Sequence, residues 1–564
     1  MHLKRGIAAA VLALALAVPA CAAGELTPEQ RREDLDALYS TLRQAHPNLF
    51  ANTPEPDFLA RRGEIEESLT RSGDQAFVMD LQSLAALAGD SHTTLSLGSL
   101  SRLFRAYPMS LIWRDGRWYL SAAPEESRDL LGREVLSAAG QPLDQVSQTF
   151  GVLLSADNPV KLRRQFRQSC NIADFYEYLG LVRPGDPLEL ELEGGETLSL
   201  SPAAMEALGD MEIALLGDGL SQPATAARNC NYCAFALDGR TFYIQYNACA
   251  EDKELPMADF AAQVEAVLEQ GDYSRVVVDL RSNGGGSDGV IWPLLQVLRR
   301  AADRGAELAG LIGETTFSSA VINAAELQEM GAVLVGEAAS GSVDHFGSVK
   351  SFSLPNSGLR VGVSSKYIDL DALLDAGAGR GVEALEPDVS VPQTMEDTLA
   401  GRDSAVEWLL SNPQRLEQRA WPDAPLTRGR FAALLWRQAG SPPAERGEFS
   451  DTLGIEWFLP ALDWAAENQI ASGAGDGAFA AVRPITREEA AVMLARFAGL
   501  TGEGGAWSDA EETSPWARQA VGQVLAAGLM ETDGGAFRPQ AGMTRAEGEA
   551  AALLAGNRAR AENK

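Results

Sequence analysis

The segment 276–335 constrains the fold of this chain more than any other part of its sequence. Residues 276–280 read as a buried strand, residues 291–299 as a helix, and residues 320–330 as a second helix, with short apolar runs between and after the helices. This alternation predicts a βαβαβ unit built on a parallel sheet. The glycine loop 284–286 and the Ser318–Ser319 pair each follow a strand, so both are expected at the same carboxyl edge.

Both turns have residue types that suit acyl-transfer chemistry. A serine at the head of a helix meets unpaired backbone N–H groups and the positive end of the helix dipole, which favour a developing oxyanion. A loop without Cβ atoms lets further N–H groups approach a substrate carbonyl. Each feature alone has a simpler explanation, since Ser318 and Ser319 could cap the helix and three glycines could form a tight turn.

A longer set of strings resembles the tail-specific, or C-terminal-processing, serine peptidases, whose core is a crotonase-like α/β fold shared with tricorn protease. The matching strings follow the family order and lie at residues 45–51, 89–95, 242–249, 276–286, 316–320, 333–337, 345–359 and 386–391. The resemblance implies that Ser319 is the nucleophile, with Ser318 as the alternative. It also implies an oxyanion hole made by Gly285, Gly286 and Ala320.

The chain departs from the family at the general base. Many members use a lysine in a Gly-Lys pair shortly after the third strand of the unit, but here the aligned pair is Gly341 and Ser342. None of the six lysines of the chain falls at that position. A serine and lysine dyad of the usual geometry is therefore not expected.

Histidine offers another base, because only His46, His92 and His345 lie beyond the first residues of the chain. Tricorn-type relatives have their catalytic histidine in a Ser-His pair, which here is Ser91 and His92. An imidazole with a pKa near neutrality could take the serine proton, with Ser91 or a carboxylate fixing its tautomer. His345 is a second candidate and His46 is expected to be structural. The resemblance gives Glu383 as the third member of the relay.

The N-terminal residues 1–23 have the pattern of a secretory signal peptide, with Lys4 and Arg5 before an apolar run that is too short to span a bilayer. Cys21 is a possible lipid-anchor site as the lesser alternative. No transmembrane segment is expected in the mature chain.

Four further cysteines are Cys170, Cys230, Cys233 and Cys249. A zinc site at Cys230 and Cys233 lacks a second pair of ligands. For an exported chain we therefore expect a disulfide, with three pairings open, and no metal or cofactor. Cys249, inside a family string, could equally be a core residue.

A repeat follows residue 421. The strings at Thr427, Thr486 and Thr544 are 59 and 58 residues apart, and each precedes an alanine-rich helical run. They resemble S-layer homology repeats, which hold exported bacterial proteins on pyruvylated cell-wall polysaccharide. The resemblance implies polysaccharide binding by Arg428, Arg487 and Arg545, since an arginine at a helix start can hold a carboxylate in bidentate fashion. The simpler alternative is that each Thr-Arg pair only caps a helix.

The fold class that follows is multidomain: a helical N-terminal cap, an α/β crotonase-like peptidase core and all-α C-terminal repeats. The expected divisions are the signal peptide at 1–23, the cap at 25–98, a mixed β-rich substrate or PDZ-like region at 99–229 and the core at 230–410. A linker at 411–421 and the repeats at 422–564 follow, and the first repeat is partial.

The composition of the chain restricts the classes of molecule that it can bind. The net charge is −31, so nucleic acid and anionic lipid are poor partners, and wall binding requires local arginine pockets. The sequence therefore predicts a wall-anchored serine endopeptidase acting on polypeptides at the surface of a bacterium. One alternative is an inactive peptidase-fold protein that binds peptides. Another, weaker alternative is a structural surface-layer component.

Overall fold

The computed structural model describes residues 25–71, 73–96, 103–370, 384–413, 416, 425–444, 449, 459–475, 477–502 and 504–562. The expected signal peptide, the alternative lipid-anchor site Cys21 and the expected relay residue Glu383 lie outside this part of the chain.

The N-terminal cap consists of helices α1 (Pro28–Ala45), α2 (Glu55–Ser68) and α3 (Asp74–Ala86). Helix α1 begins with a capping box, in which Thr27 and Gln30 satisfy each other's backbone N–H groups. Its leucines at helical spacing, Leu35, Leu38 and Leu42, are fully buried. The cap ends in strand β1 (Thr94–Leu95), which pairs antiparallel with strand β18 (Arg360–Val363) of the core.

The next region, residues 103–229, is β-rich with short helices. Its strands are β2 (Arg105–Ala106), β3 (Ser110–Arg114), β4 (Arg117–Pro124), β5 (Val135–Ala138), β6 (Gln141–Pro142), β7 (Leu188–Leu192), β8 (Thr197–Leu200), β9 (Ala203–Ala204) and β10 (Ile213–Leu215). They form sheets in the orders β6-β5-β7-β8, β10-β4-β3 and β2-β9. The helices are α4 (Leu143–Phe150), α5 (Pro159–Ser169), α6 (Ala173–Tyr178) and α7 (Met205–Leu208).

The core is a six-stranded sheet in the order β11-β12-β13-β14-β15-β20. Its strands are β11 (Tyr232–Ala236), β12 (Thr241–Tyr246), β13 (Arg275–Asp279), β14 (Glu307–Ile312), β15 (Val333–Gly336) and β20 (Val389–Ser390). Only β11 runs antiparallel to its neighbour. The crossover helices are α8 (Met257–Gln270), α9 (Trp292–Asp303) and α10 (Ser319–Glu329). The βαβαβ unit is therefore present, with the glycine loop and the Ser318–Ser319 pair at one sheet edge.

Beyond β15 the chain forms strands β16 (Asp344–Gly347), β17 (Lys350–Ser353), β18 and β19 (Lys366–Asp369). Strand β16 pairs with β19, while β17, β18 and β1 make a second small sheet. Helices α11 (Met395–Ala400) and α12 (Ser404–Ser411) follow β20. The side chain of Arg275 donates to the carbonyls of Leu409 and Asn412, which fixes the end of α12 against the sheet.

The C-terminal region contains helices α13 (Arg428–Gln438), α14 (Leu459–Glu467), α15 (Arg487–Phe497), α16 (Arg518–Ala526) and α17 (Arg545–Glu562). The segments before α13, α15 and α17 meet in a closed ring. The N–H of Leu426 donates to Met543, that of Met543 to Ile485, and that of Ile485 to Leu426. The three strings of the sequence repeat therefore surround one pseudo-threefold axis.

Candidate active site

Ser318 lies on a strained turn at the head of α10. Its backbone has φ 55° and ψ −129°, a conformation that residues with a Cβ atom seldom adopt. Ser319 is the first residue of the helix and is 7% exposed. Its N–H belongs to the first helical turn, whose N–H groups have no partner within the helix.

The two hydroxyls differ in their surroundings. The Ser319 Oγ donates to the carbonyl of Gly286 at 2.8 Å, so it holds the glycine loop in place. The half-buried Ser318 packs directly against this loop. A Cβ added to Gly285 would therefore lie only 2.8 Å from the Cβ of Ser318. Within the described residues, the Ser318 hydroxyl makes no hydrogen bond.

The oxyanion donors are partly different from those expected. The N–H of Ala320 donates to the carbonyl of Phe317, and the N–H of Gly285 donates to Asn283 Oδ1 at 2.9 Å. Two of the three expected donors, Gly285 and Ala320, are thus engaged inside the loop and the turn. The N–H groups of Gly286 and Ser319 donate to no group in the described part of the chain and can meet a substrate oxygen.

The His92 ring stacks on the ring of Phe317, the residue before Ser318, with ring centroids 4.6 Å apart. Burial, with contributions from His345 and Lys161, lowers the pKa of His92 to about 3. The expectation of a pKa near neutrality was therefore wrong, because desolvation outweighs the nearby Asp90 carboxylate. Neither ring nitrogen has a hydrogen-bond partner among the described residues, although the Phe346 backbone favours protonation.

Asp90, and not Ser91, is the group near the His92 ring. The Asp90 Oδ1 lies 3.8 Å from His92 Nδ1 and accepts the backbone N–H of His92 at 2.9 Å. Burial alone would raise the pKa of the Asp90 carboxyl. Hydrogen bonds from His46, Ser364 and Thr93, together with the nearby His92, outweigh burial and lower that pKa. His46 thus has the structural role expected of it.

The hydroxyl of Ser91 is committed elsewhere, which corrects the expectation that it orients His92. It donates to Asp157 Oδ1 at 2.6 Å and accepts the backbone N–H of Asp157. Burial raises the pKa of Asp157. Asp157 lies in the β-rich region, so this contact joins that region to residues 89–93, which we call the histidine loop.

His345 stacks on His92, with ring centroids 5.6 Å apart. Its Nδ1 lies 2.9 Å from the carbonyl of Ser342, and burial lowers its pKa. The Ser342 hydroxyl, at the position of the family lysine, accepts a hydrogen bond from Asn158 Nδ2 at 2.9 Å. Asn158 is the N-cap residue of α5, so the start of that helix adjoins the position where the family lysine would lie.

Lys161 is the residue that sequence reasoning missed. It lies in the first turn of α5, and its Nζ is 3.3 Å from the centroid of the Phe317 ring, on which His92 also stacks. A helix start was legible in the sequence, because Asn158 followed by Pro159 is a typical cap and first position. Nothing in the sequence indicated that this helix would reach the serine turn.

The four cysteines of the described chain are all free, so the expected disulfide is wrong. Cys170 and Cys249 are buried in different hydrophobic clusters. The Cys249 Sγ lies 3.4 Å from Asn283 Oδ1, and its backbone is bonded to the glycine loop. Cys249 is therefore a core residue that supports the loop. The described residues contain no group of three or more potential metal ligands.

The three repeat arginines do not form equivalent open pockets. Arg487 is 5% exposed and donates to the carbonyls of Phe537 and Glu531 and to the Glu547 carboxylate. Arg428 similarly donates to the carbonyls of Phe479 and Ser472. Arg545 pairs with Glu549 within its own helix. Arg487 and Arg428 thus brace neighbouring repeats, a role that neither the expected polysaccharide binding nor the simpler helix-cap alternative had predicted.

A pocket of about 220 Å³ nevertheless lies between the first two repeats. It is lined by Arg428, Arg483, Arg496 and the indole of Trp516, which is 59% exposed. One carboxylate, Glu489, lines it and pairs with Arg483 at 2.5 Å. Three guanidinium groups, one carboxylate and an exposed aromatic ring thus line a concave surface with a net positive charge.

Comparison with known proteins confirms the resemblance of the repeats. Residues 448–491 and 508–547 match the family model of the S-layer homology domain. A stretch of 147 residues is 31% identical to the amylopullulanase of Thermoanaerobacterium thermosulfurigenes, and the match covers 24% of this chain and 8% of that protein. The chain thus spans less than a tenth of that relative.

Similar solved structures include peptidases of the kinds that the rest of the sequence resembles. Mature CPAF in complex with lactacystin is 14% identical with a TM-score of 0.45, covering 68% of this chain and 98% of that one. The photosystem II D1 C-terminal processing protease is 13% identical with a TM-score of 0.31, covering 67% and 99%. Tricorn protease is 12% identical with a TM-score of 0.31, covering 68% and 36%. No helix in the described part of the chain is long and apolar enough to cross a bilayer.

Proposed function

We propose that this chain is a serine peptidase that acts on polypeptides at a bacterial cell surface. The observation that carries the proposal is the strained Ser318 at the head of α10, packed against the glycine loop and next to the Phe317 ring on which His92 stacks. Strain held at such a turn is typical of nucleophiles that must project from a strand-to-helix connection.

The chemistry follows from these positions. The Ser318 Oγ attacks the scissile carbonyl carbon while His92 takes the hydroxyl proton. The carbonyl oxygen gains negative charge, which the N–H groups of Ser319 and Gly286 stabilise together with the helix dipole. His92 then gives the proton to the leaving amine, and water hydrolyses the acyl-serine by the same steps in reverse.

Ser318 is favoured over Ser319 as the nucleophile, although the family resemblance implies Ser319. The Ser319 hydroxyl is buried and bonded to the Gly286 carbonyl, where it shapes the loop. The N–H that follows the nucleophile usually enters the oxyanion hole. The Ser319 N–H has no partner among the residues that the structure describes, whereas the Ala320 N–H donates to Phe317. These contacts support an attacking Ser318 and a supporting Ser319.

Fluorophosphonate labelling and peptide cleavage test this assignment. We expect Ser318→Ala to abolish both, a loss of about 10⁴-fold or more, with an unchanged melting temperature. Ser319→Ala should keep measurable labelling, slowed by about ten- to a hundredfold because the Gly286 carbonyl loses its donor.

The opposite pattern, labelling lost in Ser319→Ala and kept in Ser318→Ala, would restore the role to Ser319. A folded wild-type chain that binds peptides but neither labels nor cleaves would instead favour the noncatalytic binding protein. A chain that neither binds nor cleaves peptides would leave only the structural surface-layer role.

We also propose that the repeats anchor the chain to an acidic wall polysaccharide. The match to the S-layer homology domain and the pocket with Arg428, Arg483, Arg496 and Trp516 support this role. Guanidinium groups suit carboxylates, and an exposed indole suits the face of a sugar ring. Because the whole chain has a net charge of −31, the attraction has to be local and short-ranged.

A further inference from the structure

Lys161 is a largely buried cation at the candidate active site. Its relative exposure is 7%, and within the described residues its ammonium forms no ion pair. Its Nζ lies 3.3 Å from the centroid of the Phe317 ring, a cation–π interaction. Removing most of this side chain from water without forming an ion pair is costly, which points to a role for its charge.

Charged and titratable groups face Lys161 from three parts of the fold. Arg164, on the same helix, disfavours its charge, whereas Asp157 before the helix and Asp90 of the histidine loop favour it. His92 is electrostatically coupled to it, and His345 is in turn coupled to His92. Burial is the largest influence and, with Arg164, lowers the pKa of Lys161 to about 7.

We propose that Lys161 is a positioning residue for the reaction: its charge controls how readily His92 accepts the serine proton, so the site works fastest when the Lys161 amine is neutral. This inference rests on the proposed peptidase function. It gives a lysine of the β-rich region an electrostatic role in a site where Ser342 occupies the position of the general-base lysine of the family.

The direction of the effect follows from the coupling. A charged Lys161 disfavours the imidazolium that His92 must become when it takes the proton. Above pH 7 the lysine loses its proton and this penalty disappears. Burial holds the pKa of His92 well below its usual range, so we expect the rise near pH 7 to come from Lys161 and to disappear in Lys161→Met. The rising limb therefore reports the ionisation of Lys161.

The pH dependence of the fluorophosphonate labelling rate tests this role between pH 5 and pH 9. We expect the wild type to rise by about tenfold through pH 7, the change that corresponds to one pKa unit of basicity in His92. Lys161→Met should label about tenfold faster than the wild type at pH 5.5 and show no rise. Lys161→Arg, which keeps its charge, should label slowly at every pH.

Lys253→Met is the matched control, because Lys253 is exposed, and it should keep the wild-type profile. A Lys161→Met profile that still rises through pH 7, or that shows no labelling at any pH while Lys161→Arg is active, would overturn the inference. So would a wild-type rate that falls through pH 7.

A spectroscopic readout separates this inference from the peptidase proposal and does not depend on a folded Lys161→Met variant. Beyond the leader the chain has five lysines, so carbon-13 at the lysine Cε gives few signals. One signal should titrate near pH 7 in the wild type and be absent from Lys161→Arg. A wild type in which every lysine titrates near pH 10 would refute the role of Lys161, whereas absence of labelling with this titration intact would refute the peptidase.

Discussion

At the residue scale, the three glycines of the loop are not interchangeable. Gly284 has open space where a Cβ would lie. Gly285 has φ 100°, and its Cβ would meet Ser318, while Gly286 has φ 141° and its Cβ would lie 2.1 Å from the Cys249 carbonyl oxygen. Only the second and third positions therefore require glycine, one because of Ser318 and one because of Cys249, which follows β12.

Alanine at Gly285 should disable the site. The new methyl group would push the loop away from Ser318 in a backbone region that alanine disfavours, and the Gly286 N–H would move with it. We expect the labelling rate of Gly285→Ala to fall by about a hundredfold or more, as when an oxyanion donor is removed. Gly284→Ala, the control, should label within about threefold of the wild type. Equal rates for the two variants would contradict the role given to this loop.

Sequence reasoning found the parts of the site that lie in short strings and missed those that depend on tertiary contacts. The serine pair, the glycine loop and His92 each have a local signature. Lys161 and Asp157 reach the site from the β-rich region, and the low pKa of His92 depends on how deeply these parts bury one another. No local pattern encodes that burial.

At the element scale, the helix starts of the repeats do two jobs. Thr427, Thr486 and Thr544 each cap a helix through the N–H three residues later. The preceding residues Leu426 and Ile485 are fully buried and bonded across the ring. The simpler interpretation as helix caps is thus true, but it is incomplete, because the period of the repeat also closes a threefold arrangement.

Arg487→Ala should destabilise the repeat array. This side chain joins the start of α15 to two carbonyls and to Glu547 of α17, and its loss would leave buried acceptors without donors. We expect a loss of about 2–4 kcal/mol in the free energy of unfolding by urea. Arg483→Ala, which removes a pair with a 44% exposed arginine, should cost less than about 1 kcal/mol. A smaller loss for Arg487→Ala than for Arg483→Ala would contradict the bracing role.

The strands and helices of segment 276–335 follow from hydrophobic periodicity, and they lie close to the positions expected from it. The ring of the repeats could not be derived in this way. Its hydrogen bonds join Leu426, Ile485 and Met543, which are distant in sequence, and a single repeat does not contain its own partner. The burial of Arg487 could not be predicted for the same reason, because its partners Phe537 and Glu531 are distant from it in sequence.

At the scale of the whole molecule, the repeats join the core through a buried contact. Arg430 of α13 pairs with Glu329, the last residue of α10, at 2.6 Å, and both side chains are at most 6% exposed. Trp436 stacks on Trp292 of α9 with ring centroids 5.3 Å apart. Arg430 occupies the place where the other repeats have Glu489 and Glu547, so the irregular sequence of the first repeat serves this contact.

Wall binding of the full chain should depend on the arginine pocket. We expect Arg483→Ala and Trp516→Ala each to weaken sedimentation with purified cell walls by about tenfold, the loss of one charge-assisted or stacking contact. Arg240→Ala is the control, because it changes the net charge by the same amount as Arg483→Ala at an exposed position on the surface of the α/β core. This variant should bind as the wild type does. Undiminished binding in both pocket variants would place the polysaccharide elsewhere, and walls stripped of acidic polysaccharide should release the wild type.

The buried joint between α13 and the core also sets how the protein can search for substrates. A peptidase on a long flexible linker could reach substrates throughout a volume of the wall. A chain joined through Arg430, Glu329 and the stacked indoles instead holds its serine turn at one height and in one orientation above the attachment point. Cleavage would then be limited to segments that pass that point while they cross the envelope. Anchoring would thus act as a spatial filter on substrates, separate from any preference for sequence.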